Sequence, residues 1–340
     1  MALELWLLSV VSTVTTIVIF TFILLIFIYL STDPYPNMQR EPTEKCFLDP
    51  DTSEYITFST NLTDRPQLEL SVIVPAFNEM DRRKSLLFFS VRPISVPSML
   101  NEALSYLDKR KEHDSKFSFE IIIVDDGSTD HTTEVALKYS KTHGSDKIRL
   151  LKLLRNRGKG AAVRFGMLSA RGRLLLFADA DGATKFSDVE RLEEALSSVI
   201  ARRWNGAMSV ICGSRAHLEA EAIVKRHYLR NLLMYGFKFC VWLLCVRGVR
   251  DTQCGFKLFS RTAARVLFHN LHVERWAFDV DLLYLARHFD MEVVEVPVHW
   301  HEVGGSKLVP IFSWLQMAKD LLLIRLRYSL GAWKIERVHI

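Results

Sequence analysis

Leu174-Leu175-Leu176-Phe177-Ala178-Asp179-Ala180-Asp181-Gly182 is a short apolar run that ends in two carboxylates two residues apart and then a glycine. The run has the length of a buried strand. Residues i and i+2 of a strand point the same way, which aims Asp179 and Asp181 at one object just past its C-terminal edge. In open α/β sheets that edge is where ligands bind. Two converging carboxylates repel each other unless a cation lies between them, and Mg²⁺ or Mn²⁺ combines carboxylate oxygens with substrate phosphates. The stretch predicts a metal site for a nucleotide diphosphate, with a pair of solvated turn aspartates as the alternative.

Working outward, the same strand-then-polar pattern recurs. Leu70 to Pro75, Glu120 to Val124, Ile148 to Leu154 and Ala207 to Gly213 read as further strands. Helical spacing lies between them: Ser98 to Lys111, a stretch ending near Gly144, Ala161 to Ala170, and a helix opening at the capping-box match Ser187-Asp188-Val189-Glu190. β-Branched runs alternating with helices predict an α/β fold, Rossmann-like, with a mostly parallel sheet covered by helices on both faces. Each strand end carries polar residues: Pro75-Ala76-Phe77-Asn78-Glu79, Asp125-Asp126-Gly127-Ser128, Arg155-Asn156-Arg157-Gly158-Lys159-Gly160 and Asp179-Ala180-Asp181. A single strand-end acid is usually a turn former or a helix cap. Four such clusters in register at one edge point to a site.

Two common nucleotide signatures are missing. No G-x-G-x-x-G follows the first strand, which argues against a dinucleotide oxidoreductase, and Gly158-Lys159-Gly160 lacks the spacing and hydroxyl of a P-loop. The chain has 340 residues, 49% of them hydrophobic, and a net charge of +5. That surplus suits phosphate or anionic lipid and is too diffuse for a nucleic-acid binder. Five cysteines without a C-x-x-C pair indicate neither a disulfide framework nor a zinc site.

No charged residue occurs from Leu5 to Leu30, a run longer than the ~30 Å hydrocarbon core at about 1.5 Å per helical residue. Without a basic n-region or an A-x-A-like site it reads as an uncleaved transmembrane anchor over residues 1–32, and the flanking charges sign its orientation poorly. Residues 33–67, rich in Pro, Thr, Asp and Glu, read as a linker, and Asn61-Leu62-Thr63 as a chance glycosylation match.

Taken together, these clusters resemble the family-two inverting glycosyltransferases, which have a GT-A fold. The resemblance runs from about Leu68 to Tyr328. Within the family, Gly213-Ser214-Arg215, Arg250 to Phe259, Glu274-Arg275-Trp276-Ala277-Phe278-Asp279, Gly305-Ser306-Lys307 and Trp314 to Met317 are similar to the members that glucosylate dolichyl phosphate from UDP-glucose. It implies a single-pass enzyme working on the cytosolic face of the endoplasmic reticulum membrane. By the same resemblance Pro75, Ala76 and Glu79 contact the ribose, Asp126 the uracil, and Asn156, Gly158 and Lys159 the rest of the nucleotide. Asp179 and Asp181 hold Mg²⁺ or Mn²⁺ on the pyrophosphate. Asp279 and Asp281 sit where related enzymes place an acid beside the acceptor, so the resemblance assigns them to positioning acceptor or sugar, with base catalysis second.

The acceptor end calls for cations, because Arg and Lys hold a lipid phosphate. Arg215, Lys225, Arg226 and Arg230 are the candidates, with a solvated basic helix face as the alternative. Asn231 to Val246 reads as an interfacial helix or a buried core helix. Trp314, Met317, Leu321, Ile324 and Tyr328 share one face of a basic amphipathic helix, suited to lying on the membrane lipid bilayer or to packing on the core. His299 and His301 read as structural.

The expected division is thus an anchor (1–32), a linker (33–67), a glycosyltransferase domain (68–308) and an amphipathic C-terminal segment (309–340). Two departures from the resembling proteins stand out. His272-Val273-Glu274-Arg275-Trp276 lacks the Gln of the Q-x-x-R-W found in processive synthases, which disfavours a polymerising enzyme. Lys84 to Ser95 is an apolar insertion close to the expected nucleotide site. Three readings follow: a glucosyltransferase to dolichyl phosphate, a relative using another nucleotide sugar or polyprenyl phosphate, and a non-catalytic variant disabled by the insertion.

Overall fold

The computed structural model describes residues 2–58, 62–79, 96–202, 208–218, 228–245, 248–301 and 310–338. The sequon at Asn61, the insertion 84–95, Lys225, Arg226 and Gly305-Ser306-Lys307 lie outside the described residues.

Helix α1 spans Ala2–Leu30, and among its described side chains only Ile28 is buried. Its Ser9–Leu30 portion is long and apolar enough to cross a membrane and is only 6% buried against the protein. Three threonines inside it do not expose bare hydroxyls: Thr13, Thr15 and Thr16 donate to the carbonyls of Ser9, Val11 and Ser12 one turn back.

Among the described residues, nine strands form one sheet: β1 Cys46–Leu48, β2 Tyr55–Thr57, β3 Leu68–Ala76, β4 Phe119–Asp125, β5 Ile148–Lys152, β6 Gly172–Ala178, β7 Ser209–Ser214, β8 Phe256–Ser260 and β9 Glu292–Pro297. Their spatial order is β2-β1-β5-β4-β3-β6-β8-β7-β9. The centre, β5-β4-β3-β6, is parallel, as the apolar runs predict. β8 runs antiparallel to both β6 and β7, while β7 and β9 are parallel. The order reverses at β3, and the C-terminal ends of β3, β4 and β6 open together on one edge.

The helices are α2 Val96–His113, α3 Thr132–His143, α4 Lys159–Leu168, α5 Val189–Arg202, α6 Tyr228–Leu244, α7 Arg261–Asn270, α8 Phe278–His288 and α9 Pro310–Ser329. They bury both faces of the sheet. Side chains of α4, α7 and α8 meet Ile73, Ile122, Leu175 and Phe177 on one face. Those of α2 and α5 meet Val72, Ile121, Leu176 and Leu258 on the other.

The stretch 33–67 departs from the linker expectation. Residues 46–57 form a β-hairpin joined to the sheet through Phe47 opposite Leu151. Each of its strands has three residues, too few for any periodic signal. The region is also tied down by charge: Glu44 is 3% exposed and accepts from Leu154 N at 2.9 Å. Nor does the expected capping box form. Ser187 falls in a 3-10 turn, and neighbouring Asp188 instead accepts from His299 N (2.5 Å) and His299 Nδ1 (2.8 Å).

Helices α6 and α9 combine the two readings offered for them. Val241 and Cys245 pack with Leu321 and Ile324 in the core, the face of the C-terminal helix expected to meet lipid. What remains outside is Tyr235, Phe239, Trp242 and Leu243 on α6 with Leu315 and Leu322 on α9. Phe239 and Trp242 stack there, ring centroids 6.2 Å apart.

Candidate active site

At the open edge the strands end in turns that their own residues shape. Asp125 is fully buried and accepts from Ser128 N at 2.8 Å, closing the turn after β4. Gly127 there has φ +70°, and an added Cβ would meet the Arg155–Asn156 peptide at 2.7 Å. Asp126 N donates to Ala76 O at 2.9 Å, stitching the β3 and β4 ends together. The Asp126 carboxylate accepts from Arg157 N (2.7 Å) and Gly158 N (2.8 Å), pinning the loop that opens α4. Burial raises its pKa above the usual carboxylate range, in spite of those two donors.

Between these turns lies an open cavity of about 380 Å³. Pro75, Ala76, Glu79, Asp126, Asn156, Gly158, Lys159, Asp179 and Asp181 all line it. Every donor-side residue expected from the sequence is therefore present on one wall or another. Phe77, Ala162, Ala180, Arg275 and Trp276 line it as well. Arg275 and Trp276 had carried family resemblance without an assigned role; their signal was the arginine–tryptophan remnant of the synthase motif.

Asp179 and Asp181 come together just beyond β6 rather than on it, in a turn where Gly182 takes φ +65°. Asp181 Oδ1 accepts from Ala183 N at 3.0 Å. Asp179 N donates to Gly255 O at 2.9 Å. Gly255 lies so close that a Cβ there would fall inside the Asp179 carboxylate, so only glycine leaves that carboxylate its place. Lys159 Nζ sits 2.7 Å from Asp179 Oδ1 and 5.8 Å from the Trp276 ring centroid. Burial works against the Lys159 charge, but Asp179 and Asp279 outweigh it and hold its pKa above the lysine range. Among the described residues no three His, Cys, Asp or Glu side chains form a metal cage. Two carboxylates on an open cavity fit an ion that completes its shell with substrate phosphates.

The paired reading of Asp279 and Asp281 does not survive the geometry. Both lie in the first turn of α8, where residues two apart face different ways. Asp279 Oδ1 meets Lys257 Nζ at 2.5 Å, with both side chains almost wholly buried. It interacts electrostatically with Lys159 and Asp179 and is not among the residues that line the cavity. Burial works against the Lys257 charge too; Asp279 outweighs it and keeps the pKa high. Asp281 is fully buried on the other side, accepting from His272 N (2.9 Å), Val273 N (3.0 Å) and Tyr328 Oη (2.6 Å). It anchors α9 and the 272–273 turn, and a catalytic role for it is corrected to a structural one.

Arg215 is likewise committed. Its Nε and Nη2 grip the Asp251 carboxylate at 2.8 and 2.9 Å, and the guanidinium lies over Trp300. Despite burial, Asp251 drives its pKa further up. As a phosphate ligand it would have to surrender a bidentate pair. Arg230 lies in the first turn of α6, and its side chain is outside the described residues.

One pH effect follows from the Asp281 cluster. Burial pushes Asp281 up from 3.8 to about 6, despite its three donors. Burial pushes the adjoining His272, stacked on Trp333 at 4.5 Å, down from 6.5 to about 4. Between these limits the folded Asp281 keeps a proton that the unfolded chain releases, so its contribution to stability falls as pH rises. The unfolded His272 instead holds a proton that the folded one lacks, so its contribution rises with pH, and the two oppose each other. His272→Phe keeps the stack and removes the second, along with the ring's hydrogen bonds to Pro34 O and Tyr328 Oη, so the comparison is of the change between two pH values. The variant's Tm relative to the unsubstituted chain is expected to be more favourable near pH 4.5 than near pH 7. An equal difference at both pH values would refute the assignment.

The family model of glycosyl transferase family 2 matches residues 71–268, and the chain belongs to that family of sugar-transferring enzymes. Its mixed sheet with helices on both faces is the GT-A type expected from the motifs. Among individual relatives, a Drosophila melanogaster protein named dolichyl-phosphate beta-glucosyltransferase is 55% identical over 307 residues, covering 90% of this chain and 89% of that one. The Homo sapiens protein of the same name is 53% identical over 302 residues (89% and 88%), and that of Saccharomyces cerevisiae 43% over 278 residues (80% and 78%). A solved Mycobacterium tuberculosis glucosyl-3-phosphoglycerate synthase, in complex with Mn²⁺ and UDP-glucose, is 17% identical with a TM-score of 0.45, covering 76% of this chain and 79% of that one.

Proposed function

We propose that this chain transfers glucose from UDP-glucose to dolichyl phosphate with inversion at the anomeric carbon, at the cytosolic face of the endoplasmic reticulum membrane. The observation that carries the reading is the strand-edge cavity, in which all nine donor-side residues converge. The relatives' shared name supplies the sugar and the acceptor. The nucleotide takes the wall formed by Pro75, Ala76, Glu79, Asp126, Asn156 and Gly158. Lys159 and Arg275 offer positive charge to the phosphates. Asp179 and Asp181 would hold Mg²⁺ or Mn²⁺, which when bound neutralises charge on the departing diphosphate.

A phosphate monoester is largely dianionic near neutral pH, its second pKa being about 6, so the attacking oxygen arrives already deprotonated. The chain's task is then to orient and desolvate rather than to remove a proton. Asp279, spent on Lys257, acts by fixing the floor beneath Lys159 and Asp179. Trp276, half-exposed on the cavity wall, places its ring centroid 5.8 Å from Lys159 Nζ and shields one side of that ammonium. Lys225, Arg226 and Arg230 remain the proposed ligands of the lipid phosphate, now without Arg215. The apolar faces of α6 and α9, with α1, would meet the bilayer and bring the polyprenyl chain to the cavity mouth.

Membranes containing the chain are expected to move label from UDP-glucose to dolichyl phosphate, only with a divalent ion present. Transfer from GDP-mannose alone would overturn the sugar assignment. Absence of transfer that deleting Lys84–Ser95 restores would show that the insertion disables the enzyme.

A further inference from the structure

The segment that leaves the membrane helix does not hang free, and what holds it also holds the donor cavity. Arg157 precedes Gly158 and Lys159 on one wall, and Glu274 precedes Arg275 and Trp276 on the other. Glu274 Oε1 accepts from both Arg157 Nη2 (2.6 Å) and Arg164 Nη2 (2.7 Å). Glu274 O accepts from Ala161 N at 3.0 Å, so the two walls are laced by main chain and side chain alike. One carboxylate cannot satisfy two guanidiniums, and both arginine side chains are buried, Arg164 completely. Of the remaining donors, Arg164 Nη1 goes to Leu271 O at 2.8 Å, and three others go to carbonyls just past the membrane helix. Arg157 Nη1 donates to Gln39 O at 2.6 Å and its Nη2 to Asn37 O at 3.2 Å. Arg164 Nη2 donates to Asn37 O at 2.6 Å.

The strap is fastened at its ends as well. Pro34 O accepts from Lys334 N (2.8 Å) and from His272 Nε2 (3.2 Å). Arg40 Nη1 donates to Ser169 Oγ at 3.3 Å, and its guanidinium lies over the Phe165 ring that Arg157 and Arg164 also cover.

We propose that Pro34–Arg40 is a positioning element of the nucleotide site: its main-chain carbonyls complete the Arg157–Arg164–Glu274 cluster and so set the spacing of the two cavity walls. Undocking it leaves buried guanidinium donors unmatched, which the cluster relieves by moving.

The test uses the full chain in detergent or nanodiscs and UDP as the probe, in three forms. One is unaltered, one carries a short Gly-Ser insertion between Thr32 and Asp33, and one carries the same insertion between Asn37 and Met38. The first insertion lengthens the tether and spares the strap. The second pulls the Asn37 and Gln39 carbonyls out of register. UDP affinity is expected to stay within about twofold for the first and to weaken about tenfold for the second, with KM for the sugar nucleotide rising more than kcat falls. Equal affinity in all three forms overturns the proposal, as does equal weakening by both insertions, which would point to tether length. Should the second insertion prevent folding, Arg157→Met makes a milder cut and Arg157→Lys the partial rescue; unchanged UDP affinity in Arg157→Met likewise overturns it. The proposal rests on the nucleotide reading of the cavity, and the unaltered chain separates the two: if it binds no UDP, that reading fails first.

Discussion

Asp181→Asn is expected to leave the fold intact and to cut divalent-dependent glucose transfer by roughly 10²-fold. The asparagine oxygen can still accept from Ala183 N, as Asp181 Oδ1 does at 3.0 Å, so the turn after β6 keeps its shape. What is lost is one of the two formal charges that would hold the ion. Charge stabilisation of a leaving group by a metal is worth several kcal/mol, and about 3 kcal/mol corresponds to that loss. Gly255→Ala is the companion experiment. It leaves both carboxylates in the sequence and drives a methyl into Asp179, so the same loss is expected without any change of charge. Metal binding and turnover, measured side by side, check both variants. Near-normal rates in Asp181→Asn would remove the metal role.

Lys257→Met should produce the largest change in stability. Lys257 and Asp279 have side-chain exposures of 1% and 6%, so removing the lysine strands a carboxylate in the core. Breaking a buried pair from one side costs about 3–5 kcal/mol, roughly 10 °C in Tm for a domain of this size. Lys257→Met with Asp279→Asn in the same chain removes the stranded charge and is expected to recover most of that loss. It should not recover nucleotide affinity. Lys257 Nζ also donates to Cys254 O at 2.6 Å, and the next residue is the glycine whose carbonyl receives Asp179 N. Thermal melts alongside UDP binding separate the two effects. If the double variant binds UDP normally, the pair serves stability alone.

The parts of the fold that the sequence displays are those where one signal has no competitor. Leu174 to Ala178 and Glu120 to Val124 are apolar runs closed by acids, and the strands fall where the runs do. β8 is harder to see, because Lys257 interrupts its run and only the buried partner Asp279 makes a lysine tolerable there. The hairpin at 46–57 is short and sits at the sheet edge; Phe47 in it pairs with Leu151, and Glu44 just before it holds Leu154 N, both far along the chain. The donor residues were legible because strand ends bring them together automatically. The acceptor side was not, since Arg215 is claimed by Asp251, thirty-six positions away and on no common motif. Asp279 and Asp281 look like a pair in writing, but both lie in the first turn of one helix, which aims them in different directions.

Pro34 O receives Lys334 N, so a residue just past α1 is completed by one three hundred positions later. During synthesis the ribosome delivers the first long before the second. The collar around the base of α1 can therefore close only after residue 334 has been made, although the sheet it braces can begin to assemble earlier from nearer neighbours. A ribosome stalled before Lys334 would hold a chain whose central strands are made and whose Pro34 carbonyl is still unfastened.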